Sequence, residues 1–353
     1  MDIGSIFPLY EEDLLRTGDE NKTLPNRNRQ YFSLCREALR AIAVKHDGAN
    51  KRILLPAYTC KTVIDPFLYA GWECHYYKID RNLRINRSHI ISQAEKIRPT
   101  IVLTHPYCGR LLDHTELETL KFIKGILPGC ILIEDITQCI FTTERPGLFD
   151  YFVGSIRKWC NIPDGGFIEP PVLDVHEELP ENSTFLWKQT DAMFLRGMYF
   201  STGSESVKQI SLRLYKDAVD SISNNIELHR MSDLSEKMFS IFDIKGCEQI
   251  RKKNYTHLFN HLPQGISVQP ICDDLESLDT APLYFPVYVK DREMVQHNLA
   301  KEHIYAPVLW PRAYDNVLID DDVIHIYDHI LMIPIDQRYG TDDMDKIIKI
   351  FNN

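Results

Sequence analysis

The chain has 353 residues, 44% hydrophobic and 25% charged, with a formal net charge of -10. This is the composition of a soluble globular protein with room for two lobes. The acidic balance argues against nucleic acid or an anionic membrane as the main partner, while leaving space for a local basic pocket. The opening "MDIGSIFPLYEEDLL" carries acids where a signal peptide needs basic residues and a long apolar core. No apolar run approaches the ~20 residues of a membrane helix. The nine cysteines contain no C-x-x-C pair, so free thiols in a reducing cytoplasm are expected rather than disulfides or zinc.

In chain order, "YFSLCREALRAIAV" comes first. Ala38, Leu39, Ile42 and Ala43 form one apolar helical face, and the helix begins near Cys35. "RILLP" (52–56), "ECHYYKI" (73–79), "TIVLTH" (100–105) and "CILIED" (130–135) read as strands. Between them, "CKTVIDPFLYAG", "SHIISQAEKI" and "DHTELETLKFIKGIL" read as helices, the last with Leu117, Leu120, Ile123 and Leu127 on one face. Such alternation gives βαβ units, hence an α/β fold with a mostly parallel sheet sandwiched by helices. After residue 170 the pattern changes. "ESVKQISLRLYKDAVDSI" and "DLSEKMFSIFDIKGCEQIRKKNYTHLFNHL" are long and helical. The runs "GISVQP", "LYFPVYV", "APVLWP" and "ILMIPI" follow, with a helix opened by Asp291 among them. A closing helix has Thr341 as candidate N-cap and acids in its first turn. We expect a large domain over 1–235 and a smaller C-terminal α+β domain over 236–353.

In parallel sheets ligands sit beyond the carboxyl ends of the strands, and three places there carry candidate chemistry. Asp135 in "IEDITQ" ends a strand too apolar to be exposed; it is either a helix N-cap or a carboxylate held for a buried cation. Lys158 in "GSIRKWCNIPDGGF" is either a packed lysine reaching water or an amine activated by partial burial and by Arg157. Gly165 and Gly166 would let backbone pass close to a ligand or take positive φ. The helix N-terminus at Cys35 is either plain core or a phosphate site. Together, an amine for an aldehyde, a carboxylate for a basic ring nitrogen and a phosphate site specify pyridoxal phosphate. His105 and Cys108 in "THPYCGR" could bind metal, but two soft ligands without two more nearby are a weak zinc signal.

The segments "LLPAYTCKTVIDPFLYAGWECHYYKIDRNLRIN", "IEDITQ", "GSIRKW", "PDGGF", "IYAPVLWP" and "IPIDQRYGTDDMDKI" resemble the DegT-type aminotransferases, from about residue 30 to the end and in the right order. Even "MDIGSIFPL" is similar to the N-terminal strand of one branch. The resemblance implies a fold-type-I pyridoxal-phosphate enzyme. It also implies transfer of an amino group from a donor such as glutamate to a nucleotide-linked keto-sugar, in polysaccharide or cell-surface sugar synthesis. Lys158 matches the family's Schiff-base lysine, and Asp135 the aspartate at the pyridinium nitrogen. Gln138 matches the residue touching the ring's far side. "LCREAL" matches the phosphate segment, which offers Cys35 and Arg36, and Thr59 lies in the segment that covers the ring.

This chain departs from the family at several points. Cys35 stands where the phosphate segment has glycine. The family's phosphate-binding serine falls on Val153, which leaves Ser155 as the nearest. The stacking aromatic falls on Cys60, and the asparagine of the neighbouring subunit is not evident. Tyr107, Arg157, Trp310 and Arg312 are candidate substrate contacts, Arg312 as a bidentate anchor for a carboxylate or phosphate. A cytoplasmic homodimer is expected. Two other readings stand beside this one: a pyridoxal-phosphate enzyme of another reaction type or acting on amino acids, and a non-catalytic binding relative. The dehydrating members of the family carry histidine where this chain has Lys158.

Overall fold

The computed structural model describes residues 2–16, 28–48, 50–143, 145–173, 179–222, 226–263, 265, 267–271 and 280–352. In chain order the strands are β1 (Ile3–Gly4), β2 (Gln30–Phe32), β3 (Arg52–Pro56), β4 (Glu73–Tyr77), β5 (Ile101–Thr104), β6 (Ile131–Asp135), β7 (Tyr151–Ser155) and β8 (Gly166–Glu169). β9 (Val268–Pro270), β10 (Tyr284–Val289), β11 (Ile304–Tyr305) and β12 (Ile330–Pro334) follow. The helices are α1 (Glu11–Leu15), α2 (Cys35–Lys45), α3 (Lys61–Tyr69), α4 (Arg87–Ile97), α5 (His114–Ile126) and α6 (Ser183–Thr202). They continue with α7 (Glu205–Ser221), α8 (Asp233–Ser240), α9 (Ile244–His261), α10 (Arg292–Lys301), α11 (Asp321–His329) and α12 (Thr341–Phe351).

The chain packs into two compact units. One holds Ser5–His46 and Val153–Ile244; the other holds Asp2–Gly4, Asp47–Phe152 and Lys245–Asn353. The chain passes between them after Gly4, His46, Phe152 and Ile244, the third of these inside β7. In the second unit β4, β3, β5 and β6 lie side by side, all parallel, with Ile53 opposite Ile101 and Ile101 opposite Ile131. Ile53, Leu54, Leu55, Val102, Leu103, Leu132 and Ile133 are wholly buried. Strands covered on both faces have no solvent side to make polar, which is why these segments read as unbroken apolar runs. α3, α4 and α5 make the connections. The fold is α/β with the mostly parallel sheet expected.

The second unit also contains an antiparallel sheet, β12-β10-β9. Its core joins Phe285, Val287, Leu331 and Ile333 to Leu258, Leu299, Met344 and Ile347, and it takes in Ile3 from the other end of the chain. β1 pairs in parallel with β11. The Gly4 N–H donates to the Tyr339 hydroxyl at 2.8 Å. In the first unit β2 runs antiparallel to β8. α2 packs on β8, and α6 and α7 lie along each other, closing over Leu34, Phe185, Ala218 and Ile222.

Some elements differ from expectation. Residues 233–262 form two helices, because Phe242 N bonds to Phe239 O and Ile244 N to Phe242 O, ending one helix before the next begins. The last helix is capped by Gly340, and Thr341 is its first helical residue; the Asp343 carboxylate accepts from Gly340 N at 3.2 Å. β11 lies just before the run "APVLWP", whose residues are neither helix nor strand.

Gly4 has φ +81°, and a Cβ there would lie 2.4 Å from the Tyr305 carbonyl oxygen. Gly4→Ala therefore should cost more than about 1 kcal/mol of stability, read as a lower urea midpoint. An unchanged midpoint would show that this strand pairing carries no stability.

Candidate active site

Asp135 is the last residue of β6 and only 5% exposed. It caps no helix. Its Oδ1 accepts from Thr137 N at 3.0 Å and from Thr137 Oγ1 at 2.6 Å, closing a turn of the kind aspartate favours. Its Oδ2 takes no hydrogen bond among the described residues and lies 3.7 Å from His105 Nδ1. His105 Nε2 in turn lies 2.8 Å from Thr59 Oγ1. Thr59, His105 and Asp135 thus form a chain beyond the carboxyl ends of β3, β5 and β6. The two His105 nitrogens lie against Thr59 and Asp135, and among the described residues no group of three metal ligands forms.

Gln138 is buried, and its Oε1 accepts from Cys108 N at 2.6 Å. Among the described residues its Nε2 has no hydrogen-bond partner, nor does Thr104 Oγ1 at the end of β5. Buried polar atoms are nearly always satisfied in proteins. Gln138 Nε2, three residues after Asp135, therefore keeps its capacity to donate.

Aromatic rings surround this place. Tyr58 lies 5.2 Å from Trp310, 5.9 Å from Tyr107 and 5.1 Å from Tyr327, centroid to centroid. Their hydroxyls grip backbone: Tyr107 donates to Tyr58 O, Tyr327 to Ala57 O at 3.0 Å, and Tyr58 to Leu309 O. Cys60 is the N-cap of α3, with its Sγ 3.0 Å from Thr62 Oγ1. Arg312 turns to its own loop, donating to Tyr314 O at 3.2 Å and Asp315 O at 3.0 Å.

The other unit carries the remaining candidates. Lys158 ends a 3-10 turn, Ile156–Lys158, that follows β7. It is half-buried, and its ammonium has no hydrogen-bond or ion-pair partner among the described residues. Trp159, wholly buried, anchors the turn. Gly165 takes φ +140°; its N–H donates to Ser33 O at 2.7 Å and its carbonyl accepts from Ile156 N at 2.9 Å. At Gly166 a Cβ would lie 2.2 Å from Cys35 N. Both glycines are therefore required: one for its dihedral, the other because backbone lies against the start of α2. That helix begins at Cys35, with no side-chain cap at Leu34. Arg36 Nη1 donates to Ile222 O at 2.9 Å. Ser155 is buried at the end of β7, and the Arg157 guanidinium stands 5.8 Å over Phe185.

Sequence reasoning missed two couples. One is His105 with Asp135. The other is Glu37 with His229, whose backbone N–H donates to Glu37 Oε2 at 3.0 Å and whose Nδ1 lies 3.3 Å from Oε1. Burial pushes the Glu37 carboxyl up, and the hydrogen bond to Glu37 raises the His229 imidazole. No local signal joins residues so far apart in the chain.

No protein-family model and no curated protein matches the sequence. Solved structures do. PseC of Helicobacter pylori, an aminotransferase involved in the biosynthesis of pseudoaminic acid, is 12% identical with a TM-score of 0.67, over 100% of this chain and 98% of that one. The chain has the fold of the aminotransferase PseC. DesI, solved in the presence of its TDP-sugar product, is 14% identical with a TM-score of 0.63, over 91% of this chain and 79% of that one. NtdA of Bacillus subtilis, solved with bound cofactor PMP, is 14% identical with a TM-score of 0.64, over 92% and 73%.

Glu134, on the strand face opposite Asp135, is buried, and desolvation pushes its carboxyl up from 4.5 to about 8 against the pull of Arg145. The folded state then holds a proton that the unfolded state releases. Stability should fall as pH rises from about 4.5 to about 8, by up to about 1.4 kcal/mol per pH unit. In Glu134→Gln that dependence should flatten in urea titrations across the window. An unaltered slope would mean that Glu134 does not set it.

Proposed function

We propose that the chain is a DegT-type, pyridoxal-phosphate-dependent aminotransferase. It moves an amino group from an amino acid such as glutamate to a nucleotide-linked keto-sugar, as a cytoplasmic homodimer serving polysaccharide or cell-surface sugar synthesis. The observation that carries this reading is the Asp135 carboxylate, buried at a strand's carboxyl end with one oxygen taking no hydrogen bond among the described residues, in a chain with the fold of PseC. A half-buried Lys158 supports it, as does the donor of Gln138, both without a partner among the described residues. The TDP-sugar with DesI and the PMP in NtdA support the substrate and cofactor classes. Among the described residues no helix is long and apolar enough to cross a membrane. The division at residue 235 is part of the proposal, supported by a C-terminal core whose members, apart from Ile3, all follow residue 254.

The residues present fit the cofactor. Pyridoxal phosphate supplies an electrophilic carbonyl and an electron-withdrawing ring. Lys158 Nζ would hold the carbonyl carbon and, as a free amine, would carry a proton. Asp135 Oδ2 would hold the proton on the ring nitrogen, and Thr137 and His105 orient that carboxylate. Gln138 Nε2 would donate to the far side of the ring, and Thr59 would lie over it. The start of α2, at Cys35 and Arg36, and Ser155 would hold phosphate. Tyr107, Arg157, Trp310 and Arg312 would contact substrate.

With stoichiometric cofactor and no acceptor, glutamate should yield one equivalent of 2-oxoglutarate, and a nucleotide-linked keto-sugar should then allow turnover. If free keto acids allow turnover while a panel of keto-sugar nucleotides does not, the acceptor class is wrong. Asp135→Asn should bind cofactor yet turn over about ten- to a hundredfold more slowly, for the loss of a charge-assisted bond of about 1.5–3 kcal/mol. Near-normal turnover would contradict the role given to Asp135.

A further inference from the structure

Residues 306–317 form neither helix nor strand. Their backbone is tied down near the two ends. Ala306 O accepts from Gln296 Nε2 at 2.9 Å, Pro307 O from Met332 N at 3.1 Å, and Val317 N donates to Tyr314 O at 3.2 Å. Between these points the segment is held by side chains. The Tyr58 hydroxyl donates to Leu309 O. The Tyr314 hydroxyl donates to Asp65 Oδ1 on α3, and Lys61 Nζ bonds Tyr314 at 3.0 Å and Asp65 at 2.7 Å.

In the middle stands Trp310 with φ +60°. Bulky side chains avoid that region, and such strain persists only where the surroundings over-determine it. Here the surroundings are rings. Trp310 is 8% exposed and lies 5.1 Å from His105, 5.2 Å from Tyr58 and 6.1 Å from Tyr107. His105 is the residue that faces Asp135. A strained tryptophan therefore lies on the rings beside the candidate catalytic carboxylate, and the segment bearing it is fastened by a latch whose Lys61 is 53% exposed.

We propose that residues 308–316 are a strap that closes over the rings of Tyr58, His105 and Tyr107 through Trp310 and lifts when the Tyr314–Asp65–Lys61 latch opens, admitting substrate. The substrate part rests on the aminotransferase reading. The movement rests on the strain and the latch. Closed, the strap excludes water from His105; open, it relieves the Trp310 backbone and uncovers the rings.

Acrylamide quenching of tryptophan fluorescence tests the strap directly. Trp187 is 60% exposed, whereas Trp72, Trp159 and Trp310 are buried, so Trp187→Phe gives a quiet background. On it, Tyr314→Phe and, separately, Asp65→Asn should raise the quenching constant about two- to fivefold, the shift expected from losing one partly exposed polar pair. Adding Trp310→Phe should abolish the increase. Far-UV circular dichroism identifies a variant that fails to fold, and the other latch variant then decides. An unchanged constant in a folded latch variant, or an increase that survives Trp310→Phe, overturns the strap. The measurement uses neither cofactor nor amino donor. A protein that fails to transaminate can thus still show the strap, and an active one can lack it.

Discussion

Asp135 is a carboxylate placed almost out of reach of water, and its surroundings follow from that. Removing a charged or polar group from water is tolerated only where donors or cations replace what it loses. Thr137 satisfies one oxygen twice over. The other faces His105 and keeps its capacity for a cationic or protonated partner. His105 is itself fixed through Thr59, so the direction of the carboxylate depends on three strand ends at once. A protonated ring nitrogen needs such a partner, and pre-set direction is what distinguishes it from an ordinary surface acid.

The segment Ala57–Thr59 is where this arrangement meets the rest of its unit. Tyr327, Tyr107 and His105 hold successive residues of it, and Tyr58 reaches out to Leu309. The rings are both packing and scaffold, each burying apolar surface while its hydroxyl secures a carbonyl at a loop. Such a knot makes a loop as rigid as an element. It also shows how a chain with cysteine at position 60 is still rich in aromatic surface here, since Tyr58, Tyr107 and Trp310 provide it.

Much of the parallel sheet was legible in the sequence because its strands are buried on both faces and cannot alternate. "RILLP" is β3 residue for residue. The positions of Asp135 and Lys158 after strands were legible for the same reason, as was the start of α2 at Cys35. α6 was not read, because it buries polar Gln189 and Arg196 and exposes Trp187 and Met198, which blurs its apolar stripe. The break at residues 241–243 carries no glycine or proline to mark it. His105 reads locally as half of a weak metal pair, since the Asp135 and Thr59 that engage it lie far away in the chain. Glu37 and His229 are joined only by folding. The two glycines after Lys158 were legible as special, but their reasons, a dihedral and the proximity of α2, are tertiary.

Lys158 is the centre of the functional account. It is half-buried, unpartnered among the described residues, and set on a turn anchored by Trp159. Borohydride reduction of the protein loaded with pyridoxal phosphate, followed by digestion and mass mapping, tests it most directly. The account predicts a stable pyridoxyl group on Lys158, absent from Lys158→Ala. Stoichiometric labelling of another lysine, with Lys158 unmodified, would contradict it.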